Sequence, residues 1–341
     1  PTQFFMRRKD EVLHEARQPL GAYLNTNPDN LLFVTNATTG GNQIVNSLHL
    51  EPGDEILTSD QEYGAMENMW QAFCQRTGAR LIRQEIPLPF VDVAEVVETL
   101  WQAVTPRTRI IFLSHITSPT ALIFPIAEIC ARARAAGILT VIDGAHAPGQ
   151  IPLDLDNLGA DFYVGNCHKW MCSPKGAGFL YTRPDHQEQI RQLIVGWETG
   201  DAVDYIRRNQ WTGTRDLAAF LAVPAAIEFM EQNDWATVQQ RCHEQASQLR
   251  QQLHDELGAT LISADSPTWY AQMFSVWFPP TDDIEQLKKT LYEKHHIQLA
   301  AGEYREHLSI RISVQAYNSA ADLATTRQVL QEALAKQKVA G

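Results

Sequence analysis

The chain has 341 residues, 44% hydrophobic and 20% charged, which suits a globular enzyme with one large domain and a smaller one. Its formal net charge of −12 repels phosphate backbones, so nucleic acid is not an expected partner. No apolar run is long enough for a membrane helix and no signal peptide is visible. Five scattered cysteines without a C-x-x-C pair fit a reducing compartment, so a cytoplasmic protein is expected.

Apolar runs and helical periods alternate through the first two-thirds. "LLFVTN" (31–36) reads as a strand and "TTGGNQIVNSLHL" as the helix after it. "EILTS" (55–59) is a strand before a helix around 64–77. "RLIRQEI" (80–86) precedes the helix "VDVAEVVETLWQAV". "RIIFLSHI" (109–116) is followed by "PIAEICARARAAG", with proline early and Gly137 at the end, as helix punctuation requires. "ILTVIDG" (138–144) and "DFYVG" (161–165) are strands. "GAGFLYTR" (176–183) is another, expected at an edge or antiparallel. Nearly all-apolar strands alternating with helices predict a mostly parallel sheet covered on both faces.

From about 210 the pattern changes to long helices, "RDLAAFLAVPAAIEFMEQ" and "DWATVQQRCHEQASQLRQQLHDELG". "MFSVWF" (273–278), a helix near 283–295, "IQLAAG" (297–302), "SIRISV" (309–314) and a last helix follow. The division expected is a large domain over 1–230 and a small α+β domain over 231–341.

Ligands of open α/β sheets bind beyond the carboxyl ends of the strands, so the polar residues that end the strands matter most. "VTNATTGGN" (34–42) leads from a strand into a helix through small and hydroxyl residues. It is either a phosphate cradle or, through Thr38 or Thr39, only a helix cap. Asp143 ends "TVID", where it either caps a turn or pairs with a cationic ligand. Lys169 ends the next strand in "GNCHKW". An exposed loop lysine is the ordinary alternative, but its flanks read as buried, and a buried lysine must be paired or used. A phosphate site, a strand-end aspartate and a strand-end lysine are together what pyridoxal phosphate requires. The lysine supplies a Schiff base, and the aspartate keeps the ring nitrogen protonated. Cys167 and Cys172 flank Lys169 at a spacing that suggests no metal site, and they read as structural.

In "FVTNATTGGN", "DQEYGAM", "SHITSPTALIFP", "VIDGAHAPGQ", "GNCHKW", "WTGTRD" and "IRISVQAYN", in this order, the chain resembles class V aminotransferase-fold enzymes over nearly its whole length. Within that group it looks most like the isopenicillin N epimerase-like branch, which is related to cysteine desulfurases. The resemblance implies the fold type I architecture of pyridoxal-phosphate-dependent transferases, with a mostly parallel seven-stranded sheet and a smaller α+β domain. It implies that Lys169 binds the cofactor covalently and that Asp143 pairs with the ring nitrogen. Ala37, Thr38 and His168 then lie where the phosphate is gripped, and Tyr63 where an aromatic ring stacks. His146 and Ser118 lie where side chains approach the phenolic oxygen. Thr214 resembles a phosphate contact supplied by the other subunit of a homodimer. Arg311 matches the arginine that clamps a substrate α-carboxylate. Relatives usually begin with a segment containing an Asn-His-Gly-Ser-like stretch, absent from this chain, which starts at Pro1. A truncated chain is therefore expected.

The function expected is chemistry at the α-carbon of an amino acid, with Lys169 as general base and epimerisation, amino transfer or β-elimination as outcomes. His146 and Tyr63 are candidate second proton donors. The alternatives are a cysteine desulfurase or cysteine/cystine C–S lyase, and a protein of this fold that serves as a binding or regulatory partner.

Overall fold

The computed structural model describes residues 2–200, 203–281 and 283–340. The chain divides into two compact units. The first comprises Pro1–Ile86, Val93–Ile116 and Phe124–Asn233, and the second Pro87–Asp92, Thr117–Ile123 and Asp234–Gly341.

The first unit opens with helix α1 (Lys9–Tyr23), which the sequence reading passed over. Strand β1 (Leu31–Val34), helix α2 (Ala37–Ser47), β2 (Glu55–Ser59), α3 (Gly64–Thr77) and β3 (Arg80–Gln84) follow. Next come α4 (Val93–Trp101), β4 (Thr108–Ser114), α5 (Ile126–Ala135), β5 (Leu139–Gly144), the short α6 (Leu155–Leu158), β6 (Phe162–Asn166) and β7 (Gly178–Thr182). Seven strands form one sheet in the order β1-β7-β6-β5-β4-β2-β3. The pairs β3/β2, β2/β4, β4/β5 and β5/β6 are parallel. β7 is antiparallel to both its neighbours, as expected, but it lies inside the sheet and not at an edge.

The sheet has apolar strands because helices cover it. Ile44 of α2 and Trp70 and Phe73 of α3 join Leu32, Val34, Phe112 and Val164 in one buried cluster. Each such side chain contributes about 1.5–3 kcal/mol when removed from water. Gly40 lets α2 press close, since a Cβ there would meet Val164 Cγ1 at 2.8 Å. The unit closes with α7 (Tyr205–Gln210), α8 (Ala218–Leu221) and α9 (Val223–Gln232). The single long helix expected over "RDLAAFLAVPAAIEFMEQ" is therefore two. Pro224 occupies the first turn of α9, where the absence of a proline N–H is harmless.

The second unit packs α10 (Trp235–Leu257), α11 (Ile284–His295) and α12 (Ala320–Ala340) with an antiparallel sheet. Its strands β8 (Thr260–Leu261), β9 (Met273–Phe278), β10 (Ala300–Tyr304) and β11 (His307–Ser313) are ordered β10-β11-β9-β8. The strand expected over 297–302 begins three residues later. No described helix is long and apolar enough to cross a membrane.

Candidate active site

The carboxyl ends of β2, β4, β5 and β6 are neighbours in the sheet, and they carry the polar residues of the first unit's site. Asp143, the penultimate residue of β5, is 3% exposed. Its Oδ1 accepts the Ala145 backbone N–H at 2.9 Å. No described residue donates to Oδ2. Burial pushes the carboxyl above the ordinary aspartate range, opposed by that N–H and by the charge of Lys169. A buried carboxylate with one donor and one vacant oxygen is matched to a cationic N–H.

Near it, three residues past β2, Glu62 is buried. It accepts the Ser59 hydroxyl at 2.6 Å, and the Ser114 backbone N–H and hydroxyl at 2.8 and 2.6 Å. Burial, reinforced by the charge of Asp143, pushes it up to about 8 in spite of those bonds. Beneath Asp143 lies a second buried pair, the Tyr163 hydroxyl 3.0 Å from His115 Nδ1. Burial lowers His115 to about 4 and raises Tyr163, so the two share this hydrogen bond as neutral groups.

Lys169 lies just beyond β6. Cys167 and Trp170 around it are buried, as the sequence suggests, but the Lys169 side chain is exposed. The expectation of a buried lysine is thus corrected: the residue stands three positions past the end of β6, beyond the strand pairing that ends at Asn166. Its Nζ lies 3.2 Å from His146 Nε2, and the Trp170 indole N–H donates to His146 Nδ1 at 3.1 Å. His168 has the opposite arrangement, with Nδ1 2.7 Å from the Ala177 carbonyl, so that nitrogen carries the proton. Burial lowers the His168 pKa.

The start of α2 is held by two asparagines. Asn36 caps the helix, accepting the Thr39 N–H and hydroxyl at 2.8 and 3.0 Å. Asn166 Oδ1, from the end of β6, accepts the Ala37 N–H at 2.8 Å, so that donor is engaged. It reaches α2 across β7 at Gly178, where a Cβ would lie 3.2 Å from the same oxygen and 2.7 Å from the Gly165 carbonyl. The N–H and hydroxyl of Thr38 are left available in the first turn, where the helix dipole favours a negative charge. Tyr63 precedes α3 with its side chain 47% exposed, and Thr214 is exposed.

Ser118 and Arg311 both belong to the second unit. Arg311, on β11, faces Ala300 of β10 and Ser275 of β9 across the sheet. Its Nη1 donates to the Ser118 hydroxyl at 2.9 Å and to the Ser118 carbonyl, while its buried Nε has no partner. Burial lowers its pKa, the sign of a guanidinium short of anionic company. Sequence reasoning did not assign Asn166, Trp170 or Glu62. The first two lie within the quoted "GNCHKW", but their targets lie far away along the chain.

Comparison with known proteins places the chain. Residues 4–325 match the family described as aminotransferase class-V. An isopenicillin N epimerase of Streptomyces clavuligerus is 35% identical over 94% of this chain and 84% of its own length. A probable chloroplastic L-cysteine desulfhydrase of Arabidopsis thaliana is 26% identical over 97% and 76%. Among solved structures, the cystine C-S lyase C-DES in complex with its product cysteine persulfide matches with a TM-score of 0.83 at 22% identity, covering 95% of this chain and 87% of that one. A C-DES mutant with glycine covalently linked to its PLP cofactor gives 0.84 at 23% identity, covering 95% and 86%.

Proposed function

Because the chain belongs to the aminotransferase class-V family, we propose that it is a pyridoxal-phosphate enzyme acting at the α-carbon of an amino acid, of the isopenicillin N epimerase-like kind. The observation that carries this reading is Asp143, buried with one vacant carboxylate oxygen, on the strand next to the one that leads into Lys169. When bound, the cofactor supplies an electron sink for charge left on the substrate α-carbon. Asp143 Oδ2 receives the pyridinium N–H. Thr38 and the first turn of α2 hold the phosphate, with Ala37 shaping the cradle and His168 beside it. Tyr63 offers its exposed ring for stacking, and His146 directs a nitrogen to the phenolic oxygen. Lys169 would provide the amine for covalent attachment, and its free amine would be the base that takes the α-proton.

Arg311 is the proposed clamp for the substrate carboxylate. The bond it makes to Ser118 supports a role for Ser118 in holding the guanidinium, beside the cofactor contact expected from the resemblance. Arg311→Lys is expected to raise KM about tenfold with a smaller change in kcat. An ammonium cannot give two parallel hydrogen bonds, nor keep the Ser118 contacts at the same time. An unchanged KM in steady-state kinetics removes Arg311 from this role.

The C–S lyase alternative has an observation of its own. The segment Gln298–Arg311 contains no cysteine, and Cys242, the preceding one in the chain, is buried on α10. A persulfide carrier must be an accessible thiolate, and the exposed cysteine, Cys172, lies outside that segment. Incubation with cysteine is therefore expected to release sulfide with pyruvate and ammonia, by β-elimination and hydrolysis, and not alanine. A panel of amino acids, incubated with the protein in deuterated solvent, reports α-proton exchange and inversion. Alanine formed in step with a protein-bound persulfide moves the chain to desulfurase chemistry. No exchange with any amino acid, and no cofactor bound, leaves the binding-protein alternative.

The proposed assembly is a homodimer in which Thr214, exposed near Gly213 at φ +99°, reaches the partner's phosphate site. Sedimentation of the active holoenzyme is expected to show a dimer, and a fully active monomer contradicts it. Five free cysteines support a cytoplasmic location, which fractionation of the source cells tests.

A further inference from the structure

Two histidines flank the reactive lysine, and the structure fixes their protons differently. An indole N–H only donates, so the Trp170 bond to His146 Nδ1 requires a lone pair on that nitrogen. A neutral His146 then carries its proton on Nε2, the atom 3.2 Å from Lys169 Nζ. An imidazolium is incompatible with the Trp170 bond, since both ring nitrogens are then protonated. A Lys169 nitrogen that holds a lone pair then meets an N–H, whereas a Lys169 ammonium, itself only a donor, competes with Trp170 for the single lone pair of the neutral ring. The scaffold around the pair is firm. Trp170 is 6% exposed, and Gln150 Nε2 holds the His146 carbonyl at 2.7 Å. Gly149 gives the Trp170 backbone room, since a Cβ there would lie 2.5 Å from its carbonyl carbon.

We infer that Trp170 is a positioning residue that locks His146 as a hydrogen-bond donor towards the Lys169 nitrogen and the cofactor edge beside it. The inference rests on the proposed cofactor chemistry for its purpose, but the lock itself belongs to the polypeptide. It assigns His146 a task that excludes base chemistry at Nε2. That nitrogen stabilises a lone pair or a negative oxygen, and it cannot accept the substrate proton while the lock is closed. Glutamine at position 146 can donate through its amide without any tautomer to choose, so it has no need of Trp170.

The test starts with the ligand-free Lys169→Met chain, in which no ammonium competes for the ring lone pair, labelled with ¹⁵N-histidine, in two-bond ¹H–¹⁵N correlation spectra, with His146→Gln identifying the signal. The neutral His146 of this background is expected in the Nε2–H pattern. In Trp170→Phe, the Nδ1–H form should gain about fivefold relative to it, the ratio a neutral hydrogen bond sets. His168 is the internal control: its proton is held by the Ala177 carbonyl, so its pattern should not change. Should Trp170→Phe fail to fold, the Lys169→Met chain alone decides. The Trp170 indole N–H resonance must follow the His146 titration, because protonation removes its acceptor. An unchanged His146 pattern in the variant, or an indole signal blind to that titration, overturns the lock.

The second arm loads the proteins with pyridoxal phosphate and titrates the visible absorption. Trp170→Phe should shift the midpoint in the wild-type background and not in the His146→Gln background. A shift of equal size in both backgrounds, or in neither, overturns the positioning role. Absence of any cofactor band with the tautomer lock intact overturns the proposed function instead.

Discussion

Lys169→Ala is expected to abolish covalent attachment of pyridoxal phosphate and to lower turnover by at least about 100-fold, the low end of what a positioned acid or base contributes. The substitution removes the attaching amine and the proposed base together, so the loss should exceed that floor. It should not unfold the protein, since the Lys169 side chain is exposed and packs no core. Noncovalent binding should survive, because the N-terminus of α2 and the vacant oxygen of Asp143 remain. The local competitor is Lys175, also exposed, whose ammonium donates to the His168 carbonyl at 3.2 Å. Borohydride reduction followed by peptide mass analysis separates the two. A trapped adduct on Lys169 in the wild type and none in the variant is the expected result. An adduct that persists on Lys175 places the attachment there.

Asp143→Asn should divide stability from activity. The amide keeps the shape of the carboxyl and can still accept the Ala145 N–H, but it cannot hold a proton on a ring nitrogen through a charge. Losing a charge-assisted hydrogen bond of about 1.5–3 kcal/mol slows α-proton exchange by roughly 10–100-fold. The ligand-free variant should nevertheless melt no lower than the wild type at neutral pH. Burial raises the pKa of Asp143, so the wild-type carboxylate opposes folding above the ordinary aspartate range. As pH falls into that range the wild-type group takes up its proton, the opposition disappears and the two melting curves converge. Exchange by mass spectrometry and melting of the ligand-free proteins at several pH values check both halves. Near-normal exchange, or a melting deficit at neutral pH that widens in acid, contradicts the assignment.

The parts of this site that were legible in the sequence are those that local pattern encodes. Asp143 and Lys169 each follow an apolar run, and strand ends in a covered parallel sheet face the ligand. Asn166 and Trp170 were invisible for the opposite reason. Asn166 binds the N–H of Ala37, 129 positions away, and Trp170 binds His146, 24 positions away. No periodicity records which side chain a turn will aim at another segment. Glu62 was hidden because a charged residue reads as surface unless its donors are known, and its donors come from Ser59 and from Ser114 on another strand. Lys169 was misjudged through its neighbours: burial of Cys167 and Trp170 does not carry over to a side chain beyond the end of a strand. Ser118 falls in a segment that the chain lends to the second unit, a loan that composition does not mark.

The interior position of β7 sets an order on assembly of the chain. β1 pairs only with β7, with Phe33 opposite Phe179, so the first strand synthesised waits for the last of its sheet. A nascent chain that has reached Asn166 already holds α2, the aspartate strand and the asparagine that will bind Ala37. It still has no ladder on which β1 can dock. Closing so long a loop is entropically expensive, and contacts of such sequence separation form late. The proposed phosphate cradle therefore matures only after residues 178–182 insert between the two ends of the chain that came before them. Until then the polypeptide owns a lysine but nowhere to moor the anion that would bring its cofactor.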